Sequence, residues 1–186
     1  MDSQIKLKVE SLKLKEALSV LCMLSALAVC LPSCKENKWM DWKTQNEVWL
    51  ENNRQQPDVC ISSTGLQYKI VSDPGAKNGE ARPNSTSTIV CDYSVKLIND
   101  YVVSSGKGVS LYLPNTIPGF SEGCHKVHTH GDIELYIPAY LGYDADKYSN
   151  DKYNEAEGYG TEGTTGYIPP YSTLIYSIHI CGVTNN

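Results

Sequence analysis

The sequence predicts an α+β domain built mostly of sheet, with one short helix inside it and a short helical arm ahead of it. Three observations predict this. Period-two alternation recurs in "GLQYKIV" (65–71), "STIVCDYSVKL" (87–97), "GVSLYL" (108–113), "DIELYIP" (132–138) and "STLIYSIHICGV" (172–183). A single stretch of the domain, "TIPGFSEGCHKV" (116–127), opens like a helix, with Pro118 near its start and Glu122 in its first turn. Turn residues separate these segments, most densely in "SDPGAKNGEARPNST" after the first strand and in "INDY" before "VVSS".

The chain begins with a leader. Lys6, Lys8, Lys13 and Lys15 precede the apolar run from Ala17 to Leu31, which has the order and length of a signal peptide and is short for a membrane span. "LPSC" (31–34) follows it. Leucine, a small residue and then cysteine at this point resemble a bacterial lipobox, so residues 1–33 are expected to be removed and Cys34 to carry the lipid. Pro32 leaves ordinary secretion with nearby cleavage as the other reading. A multi-acyl anchor holds a protein on a membrane because each buried methylene contributes about 0.8 kcal/mol. The expected location is therefore the cell envelope, on the periplasmic or the surface side. Residues 1–33 carry 4 lysines and 3 acidic residues, so the remainder keeps 12 basic against 18 acidic side chains, a formal −6. That charge makes nucleic acid an unsuitable partner.

Residues 34–60 form the arm. Trp39, Trp42, Trp49 and Leu50 share one face at 100° per residue, while Lys43, Glu47 and Glu51 lie away from it, and Pro57 with its polar neighbours stops the pattern. Packing on the domain is the plain role for this face; self-association is the sharper one. The domain itself is expected over 61–186. It carries an acidic, glycine- and tyrosine-bearing insertion at 144–166 that has too little aliphatic content to bury itself.

Titratable residues offer weaker leads. His128 and His130 would share a face on a strand and, with Asp132, could hold zinc or nickel. Because "HKVHTHGD" sits at a turn, solvated histidines are the plainer expectation, and no metal is assigned. In an oxidising compartment Cys60, Cys91, Cys124 and Cys181 could form disulfides, but small buried thiols are the plainer expectation. No "GxSxG" nucleophile elbow, phosphate-binding glycine loop or dinucleotide fingerprint is present.

"GLQYKIV", "VCDYSVKL", "VVSS", "TIPGFSEG", "LYIPAYLGY" and "GYIPPYSTLIYSIHI" follow one another in the order of the landmarks of FKBP-type peptidyl-prolyl isomerases. The resemblance runs from about residue 64 to 183, and the arm before it resembles the helical leader of lipoprotein members. It implies an antiparallel, five- or six-stranded sheet curled around one short helix, with an apolar hollow between them. Pro169 and Pro170 would stiffen the lip of that hollow by fixing φ. The implied activity is cis–trans isomerisation of proline-containing segments of exported proteins, which needs neither a nucleophile nor a cofactor. By motif, Tyr93, Ile117, Phe120, Tyr143 and Tyr176 would form the catalytic hollow, with the Tyr143 hydroxyl and the Ile117 N–H as donors. Val102, Val103, Val109, Leu111, Thr116 and Ile168 would line the rest. The resemblance also marks two departures at "VVSS": Val102 stands for an aromatic wall and Val103 for an acidic residue. The expectation is therefore a weakened isomerase, or else a non-catalytic binding module on the same fold.

Overall fold

The protein is described by a computed structural model over residues 38–144, 158–160, 162 and 164–185. The leader, "LPSC" with Cys34, and most of the 144–166 insertion lie outside these residues.

In chain order the described elements are helix α1 (Met40–Asn53), strands β1 (Cys60–Ile61) and β2 (Gln67–Ser72), and a single helical turn α2 (Gly75–Asn78). Strands β3 (Thr88–Lys96) and β4 (Val102–Tyr112), helix α3 (Pro118–Cys124), and strands β5 (Asp132–Ile137) and β6 (Leu174–Thr184) follow. All six strands join one antiparallel sheet in the order β1-β2-β5-β6-β3-β4. The last strand therefore returns to the middle, between β5 and β3. "LIYSIHI" suits that place, because Leu174, Ile175, Tyr176, Ile178 and Ile180 are all buried.

The structure refines the expected elements. "VVSS" and "GVSLYL" are one 11-residue strand, interrupted by register shifts and not by a break. The helix of "TIPGFSEGCHKV" is confined to Pro118–Cys124, with proline in its first turn where its missing N–H costs nothing. "SDPGAKN" closes a helical turn that ends on Gly79 at φ 71°, a left-handed position that favours glycine.

Two glycines let α3 lie close on β5. A methyl group at Gly119 would come within 2.5 Å of Ile137 Cγ2, and one at Gly123 within 2.3 Å of Leu135 Cδ1. Leu66, Ile89, Leu113, Leu135, Ile137 and Ile180 are fully buried, each contributing about 1.5–3 kcal/mol by leaving water.

The arm helix packs on the domain. Trp42 Nε1 donates to Ser172 Oγ at 3.0 Å, and the Trp49 and Tyr136 rings meet at 5.8 Å. Its most buried residue is Asn46, 2% exposed, whose Oδ1 accepts the Thr173 N–H at 2.7 Å while its Nδ2 donates to Trp42 O. Gln67 adds a bond from its Nε2 to Leu50 O. Among the described residues no helix is long and apolar enough to cross a membrane.

Of the histidines of "HKVHTHGD", His128 and His130 find carboxylate and backbone partners, while the buried His125 Nε2 has no hydrogen-bond partner among the described residues. His128 Nδ1 pairs with Asp73 Oδ2 at 2.9 Å, and the His130 N–H donates to Ile180 O. Asp132 instead meets His179 Nδ1 at 2.8 Å across β5 and β6. Among the described residues no three His, Cys, Asp or Glu side chains gather as metal ligands. Cys60, Cys91, Cys124 and Cys181 are free thiols. Strands β3 and β6 are neighbours, but a bulge pairs Val90 with Gly182 and Cys91 with Ile180, leaving Cys181 as the extra residue. Burial pushes the Cys91 thiol up to about 11, so it stays protonated within the core.

Candidate active site

Strands β3, β4 and β6, the N-terminal end of α3 and the segment entering β6 enclose a hollow of about 520 Å³. Its apolar floor follows from the sequence pattern. Phe120, one turn into α3, is 3% exposed and meets Tyr176 of β6 edge-on, with ring centres 5.2 Å apart and planes at 67°. That arrangement suits the ring quadrupoles. Tyr93 of β3 lies 6.3 Å from Tyr176 on the other side. Tyr143, Leu111, Thr116, Ile117, Val103 and Ile168 complete the expected walls.

Ile117 occupies the residue before α3, at φ −63° and ψ 146°, because the proline that follows disfavours a helical conformation there. Its carbonyl accepts the N–H groups of Phe120 and Ser121, while its own N–H takes no hydrogen bond among the described residues. Burial drives the Tyr176 phenol far above its ordinary range, and the nearby Tyr143 and Tyr93 add to the effect, so it stays a neutral hydroxyl. The surface of the hollow thus combines aromatic faces with a few neutral donors. No carboxylate is among its described lining residues.

Of the eleven residues expected by motif, the structure brings nine to this hollow and places two elsewhere. Val102 is 55% exposed and lies outside the lining. The cause is a bulge: Val95 pairs with Ser104 and Lys96 with Val102, so Val103 is the extra residue and the alternation of faces slips by one. Val103 therefore takes the wall position assigned to Val102. Ser104 takes the polar position assigned to Val103, with its Oγ 3.3 Å from the Tyr93 hydroxyl. Val109 pairs with Cys91 and packs beside Gly106, where an added methyl would meet its Cγ2 at 2.5 Å and Tyr93 Cε1 at 3.0 Å. It does not line the hollow.

Sequence reasoning missed Val95, Ser104, Asn115, Tyr159, Thr165 and Gly166 in the lining. Val95 was legible as the inward residue of an alternating strand. Ser104 was hidden by the bulge, and Tyr159 by lying in a segment that reads as a solvated loop. Asp144 was also missed. Its carboxylate accepts the Gly158 N–H at 2.8 Å and the Tyr171 N–H at 2.5 Å, tying the described ends of the insertion together beside Tyr143. Burial raises its carboxyl above the ordinary range, although those two N–H groups pull the other way.

The sequence pattern of FKBP-type peptidyl-prolyl cis-trans isomerases matches residues 79–181. The chain is 28% identical over 145 residues to the outer membrane protein MIP of Legionella longbeachae, an alignment covering 76% of this chain and 54% of that protein. It is 31% identical over 147 residues to the FKBP-type peptidyl-prolyl cis-trans isomerase FkpA of Escherichia coli, covering 77% and 47% respectively. The chain spans about half the length of these relatives. Its fold superimposes on a peptidyl-prolyl cis-trans isomerase of Pseudomonas syringae pv. tomato with a TM-score of 0.65 at 16% identity, covering 79% of this chain and 96% of that one. The crystal structure of Escherichia coli FkpA gives a TM-score of 0.61 at 24% identity, covering 99% and 73%. At such identities these two likenesses establish the fold.

Proposed function

Because the chain belongs to the FKBP-type peptidyl-prolyl cis-trans isomerase family, we propose that it isomerises Xaa-Pro bonds in exported proteins. One observation carries this reading. Tyr93, Ile117, Phe120, Tyr143 and Tyr176, drawn from separate segments, line one hollow large enough for a prolyl ring.

The chemistry asks little of side chains. The barrier is about 18–20 kcal/mol because the planar amide has partial double-bond character. Moving the amide from water onto aromatic faces favours its twisted, less polar form. A hydrogen bond from the Ile117 N–H or the Tyr143 hydroxyl to a substrate carbonyl then holds that form. Each 1.4 kcal/mol removed from the barrier is worth about tenfold in rate.

The lining without a carboxylate supports weakened turnover, and it favours a binding module as the second reading. Ser104, which faces Tyr93, is the residue to test. In a protease-free isomerisation assay, the mature protein is expected to show measurable kcat/KM, and Ser104→Asp to raise it about threefold to tenfold. That range corresponds to the net contribution of about one ordinary hydrogen bond to the Tyr93 hydroxyl, the new carboxylate being partly screened by water at this exposed position. Activity confined to the variant selects the binding-module reading; activity in neither removes the isomerase reading.

The reading also places the protein on an envelope membrane through Cys34, in keeping with the outer-membrane name of one relative. Cells fed labelled palmitate are expected to label the wild-type chain, and Cys34→Ser to abolish the label and release the protein from the membrane fraction. A labelled Cys34→Ser chain sinks the anchor.

A further inference from the structure

Tyr159 enters the hollow from the insertion, a part of the chain outside the family landmarks that point to the other walls. Its ring lies 4.6 Å from the Tyr143 ring with the planes at 33°. That contact is closer than the other ring pairs of the site, which are 5.2 Å and 6.3 Å apart. Although Tyr159 is 55% exposed, its backbone is fixed on both sides. Its N–H donates to Ile168 O and its carbonyl accepts the Ile168 N–H, each at 2.9 Å, forming a two-bond bridge to the stiff "YIPP" lip.

The residue before it has to be glycine. Gly158 sits at φ 69°, and a methyl there would come within 2.1 Å of Ile168 O and 2.7 Å of Pro170 N. Its N–H donates to the carboxylate of Asp144, the neighbour of Tyr143. Two independent constraints, a backbone bridge and a carboxylate tie, thus deliver one exposed aromatic ring against one other.

We propose that Tyr159 is a positioning residue of this site. Its ring holds the Tyr143 ring, and with it the Tyr143 hydroxyl, at the rim of the hollow. The physical reason is rotameric. Tyr143 is already partly buried against the core, and the Tyr159 ring further restrains its rotation about χ1 and χ2; each orientation other than the productive one takes the hydroxyl away from a bound carbonyl. A neighbouring ring tilted by 33° supplies the restraint at low entropic cost, because its own backbone is already fixed. The inference rests on the isomerase reading for what the Tyr143 hydroxyl does, but not for the stack itself.

The test is a double-mutant cycle on kcat/KM with Ala-Pro and Phe-Pro peptides. Tyr159→Ala is expected to lower kcat/KM about threefold to tenfold in the wild-type background. In the Tyr143→Ala background it is expected to change it less than about twofold, because the group it positions is gone. Tyr159→Phe keeps the ring and is expected to rescue the loss. An equal loss in both backgrounds overturns the proposal, since Tyr159 would then act on substrate or on the loop directly. A wild-type protein that turns over neither peptide defeats the isomerase reading, and the stack is then decided by NMR. The Tyr143 ring protons are expected upfield of their ordinary positions and to return there in Tyr159→Leu. Signals that do not move overturn the proposal.

Discussion

Phe120→Ala is expected to lower the stability of the domain by about 3–5 kcal/mol in urea denaturation, with a shifted midpoint and an unchanged m-value. The ring is 3% exposed and belongs both to the core and to the floor of the hollow, where it meets Tyr176 at 5.2 Å. Its removal therefore creates a void continuous with a hollow of about 520 Å³, and the surrounding side chains have no way to collapse into it, because α3 is already seated on β5 through Gly119 and Gly123. The edge-on ring contact is lost as well, a further part of the cost. Phe120→Leu keeps most of the volume and is expected to cost less than half as much. The two variants also separate fold from chemistry. If the floor acts by presenting an aromatic face to the twisted amide, Phe120→Leu loses about tenfold or more in kcat/KM while remaining folded, a change of about 1.4 kcal/mol in the barrier. Equal activity for Phe120→Leu and wild type would show that volume alone matters there.

How much of this site was legible beforehand depended on whether the chain alternates without interruption. Strand β6 alternates cleanly from Tyr176 to Ile180, so Tyr176, Ile178 and Ile180 were readable from period two, and their burial agrees. Strand β4 carries the extra residue Val103, and from there a motif match assigns the right residue types to positions displaced by one. Val102 and Val103 were given roles displaced by one, and Ser104 was missed, for that single reason. A bulge is set by the pairing with β3, which is a tertiary fact and leaves little trace in five residues of sequence. The arm failed in a different way. Its tryptophans were legible as a packing face, but the residue that seats it is a buried polar one, Asn46, whose value lies in satisfying the Thr173 N–H. Hydrophobic periodicity has no means of finding such a residue. Tyr159 belongs to a third kind. Its neighbours read as solvated loop, and only the Asp144 tie and the Ile168 bridge bring it to the hollow.

Gly123→Ala is expected to destabilise the domain by about 1–3 kcal/mol and to reduce isomerisation with it. In an exposed helix the same substitution would stabilise, because alanine has the better helix propensity by about 1 kcal/mol. Here the added methyl would lie 2.3 and 2.4 Å from the δ-carbons of Leu135 and 2.9 Å from its γ-carbon. Leu135 is 0% exposed, so its side chain cannot swing into solvent, and the strain passes to the helix. A helix lifted off β5 carries Ile117 and Phe120 with it, since Phe120 lies within α3 and Ile117 immediately precedes it. The hollow then opens and its aromatic floor parts from Tyr176, so kcat/KM is expected to fall even in the fraction that stays folded. The clash itself can be isolated by a cycle with Leu135→Ala, which alone is expected to cost about 2–5 kcal/mol by leaving a cavity. With those δ-carbons gone, the methyl at residue 123 enters vacated space, and the double variant is expected to be more stable than the sum of the two losses predicts by about 1 kcal/mol or more. Strict additivity would mean that the glycine is needed for some reason other than the close approach of α3 to β5.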